Sequence, residues 1–377
     1  MISKSRIFGP VQQLHIISFD NPYPPSYGGV IDVYFKLRAL HRLGWKIHLH
    51  CFADGDVPAQ LQAVTQAVYF YRPSKSPMLL FSRLPFSVAS RNRAKLLQNL
   101  QKIDAPILFE GLKTTFVVNQ NALPNRPKIL RLHNIEQDYF AGIAKSENSW
   151  LRKFLFGLES RKYKRYEGIL SRFDRVATLS LVEHGQMQKR FGNSVYVPVF
   201  HGNQTVKNLG GLGQNVLYHG DLGTADNIKS ALFLIESFRE MPDIELVIAS
   251  GTRNAEVDKA VSATPNARFE AFDTFEQLQD LFDRAHINIS WSFQRSGTKL
   301  KVINALFNGR HSVINENITD DENLVGLCHV AKTKGELKSQ ITRLMNVAYD
   351  DVKIRSAVLA RHFDDVQNAK SIAALLT

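Results

Sequence analysis

Short apolar runs rich in Ile, Leu, Val and Phe alternate along this chain with longer amphipathic stretches, and the series occurs twice. In the first series, residues 11–19 (V-Q-Q-L-H-I-I-S-F) read as a strand that runs into D-N-P-Y-P-P-S-Y-G-G. Its prolines enforce an extended loop and its Gly28-Gly29 pair a tight turn. Residues 30–43 follow as a helix with Val33, Leu37, Leu40 and Leu43 on one side; Gly44 ends it, and residues 45–52 form a second strand. Further strands are expected at 68–71, 107–109, 128–132, 175–179 and 194–199. The second series places strands at 215–219, 244–249, 267–272, 287–291, 312–315 and 328–331, and helices at 227–239, 275–285, 335–349 and 351–376.

Strand–helix alternation of this kind predicts an α/β protein with two doubly wound, mostly parallel sheets. Between the series, H-G-N-Q-T-V-K-N-L-G-G-L-G-Q has no period and reads as a linker. The expected domains are therefore 1–200 and 215–352, joined by 201–214. A terminal helix over 353–377 is expected to pack back on the first domain.

One later stretch, 296–309 (S-G-T-K-L-K-V-I-N-A-L-F-N-G), carries the strongest chemical signal. It reads as a flexible turn followed by a largely buried helix that stops at Gly309. Lys301, Asn304 and Asn308 fall on one face. Lys299 and Lys301 occupy the first turn, where the helix dipole disfavours a cation by roughly 0.3–1 kcal/mol. Two lysines beside a Gly turn and free N–H groups suit a bound anion, of which phosphate is the obvious one. Ligand groups in open α/β sheets gather outside the carboxyl ends of strands. That rule singles out His133 and Glu136, just after the 128–132 strand, and Gly28-Gly29 after the first. G-x-G-x-x-G is absent, and Asp54-Gly55-Asp56 reads as a polar turn.

Charge sharpens the division into halves. Residues 1–200 hold 28 Lys and Arg against 13 Asp and Glu, a net of +15; residues 201–377 hold 19 against 22, a net of −3. A basic first half suits an anionic bilayer or a phosphate-bearing substrate. Residues 72–102 are basic and apolar together, as an interfacial helix or a helical hairpin over a sheet would be. Residues 145–173 read as a long charged helical tract. No nucleic-acid module is recognisable. Cys51 and Cys328 lie far apart and imply no disulfide framework. No signal peptide or run of about 20 apolar residues is evident, so a cytoplasmic protein, peripheral at most to a membrane, is expected.

Four segments in order resemble GT-B glycosyltransferases of the group 1 type, which are retaining and use nucleotide sugars. They are P-Y-P-P-S-Y-G-G-V-I-D-V with L-R-A-L-H-R-L-G-W-K-I-H-L-H, then R-L-H-N-I-E-Q-D-Y, then H-G-D-L-G-T-A-D-N-I-K-S-A, and last G-T-K-L-K-V-I-N-A-L-F-N-G. The resemblance covers nearly the whole chain. It implies two Rossmann-like domains facing each other across a cleft, with the acceptor bound by the first and the donor by the second. By the same resemblance, Gly28 and Gly29 would lie toward the donor phosphates, with Gly220 opening the donor domain. His133 would face the sugar; Glu136, placed beside it by the strand-end rule, is the second catalytic candidate. Lys299 and Lys301, with the backbone of Ser296, Gly297 and Thr298, would hold the diphosphate. Asn304 stands where the family has a ribose-binding Glu, and Asp221 where an Arg is frequent. No metal and no cofactor beyond the nucleotide diphosphate sugar is implied; the acceptor would be a glycan or lipid-linked saccharide of cell-surface polysaccharide or glycoconjugate synthesis. Two other readings share the fold: a sugar-nucleotide 2-epimerase using Glu110, His133 and Glu136, and an inactive glycosyltransferase-like binding protein.

Overall fold

The computed structural model describes residues 12–120, 122–147, 149–294 and 299–376. The chain forms two compact units. One runs to Gly202 and regains the chain from Asp365; the other spans Asn203–Asp364.

The first unit is built on seven parallel strands: β1 (Gln13–Ser18), β2 (Lys46–Cys51), β3 (Ala67–Phe70), β4 (Ile107–Glu110), β5 (Lys128–Leu132), β6 (Arg175–Thr178) and β7 (Ser194–Tyr196). Their order in the sheet is β3-β2-β1-β4-β5-β6-β7. Sequence order therefore reverses between β1 and β4, which opens a crevice at the carboxyl ends of those strands. Both faces of the sheet are covered. On one, Val30, Val33, Leu37 and Leu40 of the Gly28–Arg42 helix pack with Leu14, Ile16, Ile47 and Leu49, and Ala369 and Ile372 of the Asp365–Leu376 helix join them. Each Val, Leu or Ile side chain among them contributes about 1.5–3 kcal/mol on full burial.

The second unit has β8 (Asn215–His219), β9 (Leu246–Ser250), β10 (Ala267–Ala271), β11 (Ala285–Ser290), β12 (His311–Ile314) and β13 (His329–Val330), in the order β10-β9-β8-β11-β12-β13. Its reversal lies between β8 and β11. The Leu300–Asn308 helix follows β11 and buries Val302, Ile303, Ala305, Leu306 and Phe307, as its apolar circumference requires. Gly309 follows it at φ −117, so left-handed geometry does not select glycine there. A β-carbon at Gly309 would instead run into the Asn288 side chain.

Four local expectations are corrected. Gly28 and Gly29 are not a tight turn but the first residues of the Gly28–Arg42 helix. Residues 72–102 are neither one helix nor a hairpin: Pro77 opens a 3-10 turn to Phe81, Pro85 restarts the chain as Phe86–Ala89, and Ala94–Gln101 follows. The tract 145–173 is one helix, Trp150–Tyr166, followed by a 3-10 segment and packed against a separate Glu136–Ser146 helix. The terminal 353–377 is not a single helix, because the chain breaks at Phe363; Val352–His362 belongs to the second unit and Asp365–Leu376 to the first.

Candidate functional site

At the reversal of the first sheet, β4 delivers Glu110 as its last residue, and Gly111, at φ +76, turns the chain away. His133 follows β5 directly. The Gly28–Arg42 helix brings Asp32 and Lys36, one turn apart, against the same strands. The Lys36 ammonium donates to Asp32 Oδ2 at 2.8 Å and to both Glu110 oxygens at 2.8 and 2.9 Å. Arg131 of β5 donates from Nη2 to Asp32 Oδ1 at 3.0 Å and the Pro198 carbonyl at 2.9 Å, and from Nη1 to the Val197 carbonyl at 2.6 Å. The Phe200 amide donates to Asp32 Oδ1 at 2.9 Å. All four charged groups are buried. Burial alone would raise the Asp32 carboxyl, but Arg131, Lys36 and His133 together hold it well below the carboxylate range. Glu110 is likewise held down, mainly by Lys36 and His133, against the effect of its burial.

His133 Nε2 lies 2.9 Å from Glu110 Oε2. An ionised carboxylate only accepts, so Nε2 carries the proton and Nδ1 is left as the second functional nitrogen of the ring. The Phe19 ring meets His133 edge-on, with centroids 5.3 Å apart. Phe19 in turn explains Gly29, where a β-carbon would come within 2.7 Å of Phe19 Cζ. Asp32, Glu110 and His133 bring three ligand atoms within 4.8 Å of one another, the spacing of a cation site. The Lys36 ammonium already bonds both carboxylates, so that place is taken by a cation of the chain itself.

Glu136 is the first residue of the Glu136–Ser146 helix and is buried. Burial raises its carboxyl, countered by Lys113 and Arg91 nearby. Lys113 stands 4.0 Å over the Phe19 ring, and Arg91 donates to the Phe19 carbonyl at 3.0 Å. His133, Glu136, Phe19, Arg91 and Lys113 thus form one neighbourhood at the carboxyl ends of β1, β4 and β5.

In the second unit, Lys301 is the second residue of its helix. Its ammonium donates to Asn227 Oδ1 at 2.8 Å and lies 4.9 Å over the Tyr218 ring. Burial lowers it to about 8, partly offset by Asp226. Asn227 is fixed by donating to the Asp221 carbonyl at 2.9 Å, and a β-carbon at Gly220 would sit 3.1 Å from Asn227 Cγ. Asp226 accepts from Ser292 Oγ at 2.6 Å and from the Phe293 amide at 2.8 Å, which ties the loop after β11 to the helix after β8. Buried His219 is lowered to about 3 by burial and by Lys301. Asn304 and Asn308 share one partner: Asn203 donates to Asn304 Oδ1 at 3.0 Å and accepts from Asn308 Nδ2 at 2.9 Å. Lys299 caps the helix, its amide donating to the Ile318 carbonyl at 3.1 Å. Ser296, Gly297 and Thr298 lie outside the described residues. Asp54 accepts from Arg72 at 2.6 Å, and Gly55 turns at φ +103, in keeping with a surface turn.

Reading the sequence did not single out Asp32, Lys36, Arg131, Asn227 or Tyr218. A signal existed for three of them: an acid and a base four apart in a helix otherwise destined for the core, and an arginine inside the apolar run K-I-L-R-L. Charges in such places must find partners.

No family model matches the chain. A protein of Klebsiella pneumoniae described as "Uncharacterized 44.6 kDa protein in cps region" is 27% identical over 315 residues, 78% of this chain and 80% of its own length. Among solved structures, sucrose-phosphate synthase from Thermosynechococcus elongatus matches with a TM-score of 0.71 at 15% identity, over 97% of this chain and 98% of its own. TarM matches at 0.67 and 10% identity, over 98% and 99%. Anabaena HepE in complex with UDP-glucose matches at 0.64 and 14%, over 97% and 99%. At these identities the likeness is one of fold: the chain has the GT-B fold, with its two doubly wound parallel sheets.

Proposed function

We propose that this protein is a glycosyltransferase of the group 1 type, moving a sugar from a nucleoside diphosphate sugar to a glycan or lipid-linked acceptor with retention, in cell-surface polysaccharide or glycoconjugate synthesis. The observation that carries the reading is Lys301: a buried ammonium in the first turn of the Leu300–Asn308 helix, steered by Asn227 at a sheet's reversal point. A lysine placed there against both burial and the helix dipole is relieved when a diphosphate arrives. That HepE has been solved with UDP-glucose supports a nucleotide sugar as the donor class.

In transfer, the bond from the sugar's anomeric carbon to the diphosphate oxygen breaks as that carbon becomes oxocarbenium-like. Lys301 and the helix N-terminus neutralise the charge growing on the leaving diphosphate, without calling on a metal ion. The acceptor oxygen bonds the anomeric carbon on the face the diphosphate leaves, and the acceptor proton departs with the diphosphate. His133, held by Glu110 through Nε2, offers Nδ1 to a sugar hydroxyl. Glu136, raised by burial, binds an acceptor hydroxyl beside it.

Incubation with a panel of nucleoside diphosphate sugars and product analysis by mass spectrometry tests the reading. Slow donor hydrolysis, or transfer to added saccharides, that is lost in Lys301→Met is the expected result. An isomerised sugar nucleotide would replace it with the 2-epimerase, and tight binding without turnover with the inactive binding protein.

A further inference from the structure

Within the first unit, the 3-10 turn Pro77–Phe81 lies beside the Trp150–Tyr166 helix. Lys162 donates to the Leu80 carbonyl at 2.8 Å, and the Phe86 amide donates to Glu159 Oε2 at 2.8 Å. The helix continues from Lys162 back to Trp150, about 18 Å at 1.5 Å per residue. At the two ends of this stretch, the turn and the first turns of the helix, the protein exposes side chains that a water-facing structure would bury. Phe81 is 91% exposed, Trp150 80% and Met78 78%, with Leu151 and Phe154 exposed beside Trp150. A tryptophan or phenylalanine carries 150–250 Å² of mostly apolar surface, and a cluster of them left open marks a place where something binds.

The charges around the cluster identify the occupant. Residues 72–102 hold seven Lys or Arg and no Asp or Glu. In Trp150–Tyr166 the single acid, Glu159, is buried with Lys162 at 3.1 Å. The charges left exposed on that helix, Arg152, Lys153, Arg161, Lys164 and Arg165, are all cations. Aromatic and aliphatic tips set among exposed cations are what an anionic bilayer surface accepts: the apolar tips enter the acyl boundary and the cations stay at the headgroups. A second copy of the chain fits less well, because a two-fold interface through this patch would set cation against cation. No helix among the described residues is long and apolar enough to cross a membrane.

We propose that the Met78–Phe81 turn and the first turns of the Trp150–Tyr166 helix form a docking surface for an anionic lipid bilayer. The inference goes beyond the donor chemistry and does not depend on Lys301. Co-sedimentation with phosphatidylcholine vesicles, with and without phosphatidylglycerol, tests it. The protein is expected to bind the mixed vesicles and release as salt rises, since each cation near an anionic surface contributes about 1 kcal/mol at low screening. The triple variant Phe81→Ser, Trp150→Ser, Phe154→Ser is expected to lose about tenfold or more in vesicle affinity. All three positions are exposed, so the fold is kept, and an unchanged melting temperature with unchanged nucleotide binding verifies this. Equal vesicle binding by parent and variant, or binding indifferent to lipid charge, overturns the proposal. So does a parent that is dimeric in solution and made monomeric by the triple substitution. Loss of nucleotide binding in Lys301→Met with vesicle binding intact separates the two readings.

Discussion

At the scale of single residues, Lys301 carries a titration that can be read directly. Burial lowers it from 10.5 to about 8. The free protein therefore binds fewer protons than the unfolded chain between those values, and burial of the charged form costs stability below about pH 8. A diphosphate restores the charged form. Its affinity should hold steady between about pH 7 and 8, above the range near pH 6 where a terminal phosphate takes up a proton, and fall as pH rises through 8, by up to tenfold per pH unit. Calorimetric titration of a nucleoside diphosphate across that range checks it. Lys301→Met should lose about tenfold or more in diphosphate affinity, since charge-assisted hydrogen bonds are worth about 1.5–3 kcal/mol, while its melting temperature stays at or above the parent's, because a buried charge that costs stability is gone. A second residue-scale expectation concerns Gly29. An added methyl would meet Phe19 Cζ at 2.7 Å, and Phe19, itself buried, rests edge-on against His133. Gly29→Ala should cost about 1–3 kcal/mol in urea denaturation, the usual penalty of overpacking. Because the displaced ring packs edge-on against His133, turnover should fall as well.

At the scale of elements, the Gly28–Arg42 helix is tied to its sheet through charge as well as apolar packing. Asp32 is bonded by Lys36, Arg131 and the Phe200 amide at once. Asp32→Asn removes the one carboxylate shared by both cations and leaves two buried positive charges with a single acid, Glu110. It should destabilise the first unit by about 3–5 kcal/mol, measured by chemical denaturation. The chain's local grammar tells the strands and this helix apart clearly, because Gly and Pro punctuate runs whose apolar period is unmistakable. The Asp32–Arg131 pair is invisible to that grammar, since it joins positions 99 residues apart by a register that only the sheet sets. The segment 72–102 misled for the opposite reason. Its composition suits a helix, but Pro77 and Pro85 each restart the chain. His133 was legible because it stands directly after a strand; the Glu110 carboxylate that orients it comes from the neighbouring strand. Asn304 was legible as a polar position in an apolar helix, whereas Asn203, its partner, sits in the aperiodic linker.

At the scale of the whole molecule, both units bury histidines, and this sets how the protein responds to acid. In the first, His15 Nδ1 and His50 Nε2 are 3.0 Å apart, and His50 Nδ1 meets the Tyr71 hydroxyl at 2.8 Å. His15 Nε2 donates to the Ile103 carbonyl at 3.1 Å, so His15 Nδ1 accepts from His50 Nε2, and a second proton on His15 would set two N–H groups face to face inside the core. Burial accordingly lowers His15 to about 4 and His50 well below 6.5, and His48 is lowered as well. In the second unit, burial lowers His219 to about 3 and His329 to about 4, and lowers His311 too. The sign follows from proton counts. Below pH 6.5 the unfolded chain protonates these rings and the folded chain does not, so stability is greatest above 6.5 and falls as pH drops toward 4. Each proton taken up only by the unfolded chain contributes a slope of about 1.4 kcal/mol per pH unit. Asp32 and Glu110 add to the loss lower still, as pH falls through the ordinary carboxylate range, because their folded forms are held ionised. Buried Glu136 and Asp365 oppose it, since burial raises both and the folded state takes up their protons first. Two such carboxyls do not offset six lowered histidines. Urea denaturation in steps from neutral pH toward 5 should show stability falling by several kcal/mol, steeply below 6.5. Replacing His50 with Gln, which keeps polar atoms for Tyr71 and His15 but cannot titrate, should flatten that slope by about one proton's worth; an identical slope would remove the buried pair as its cause.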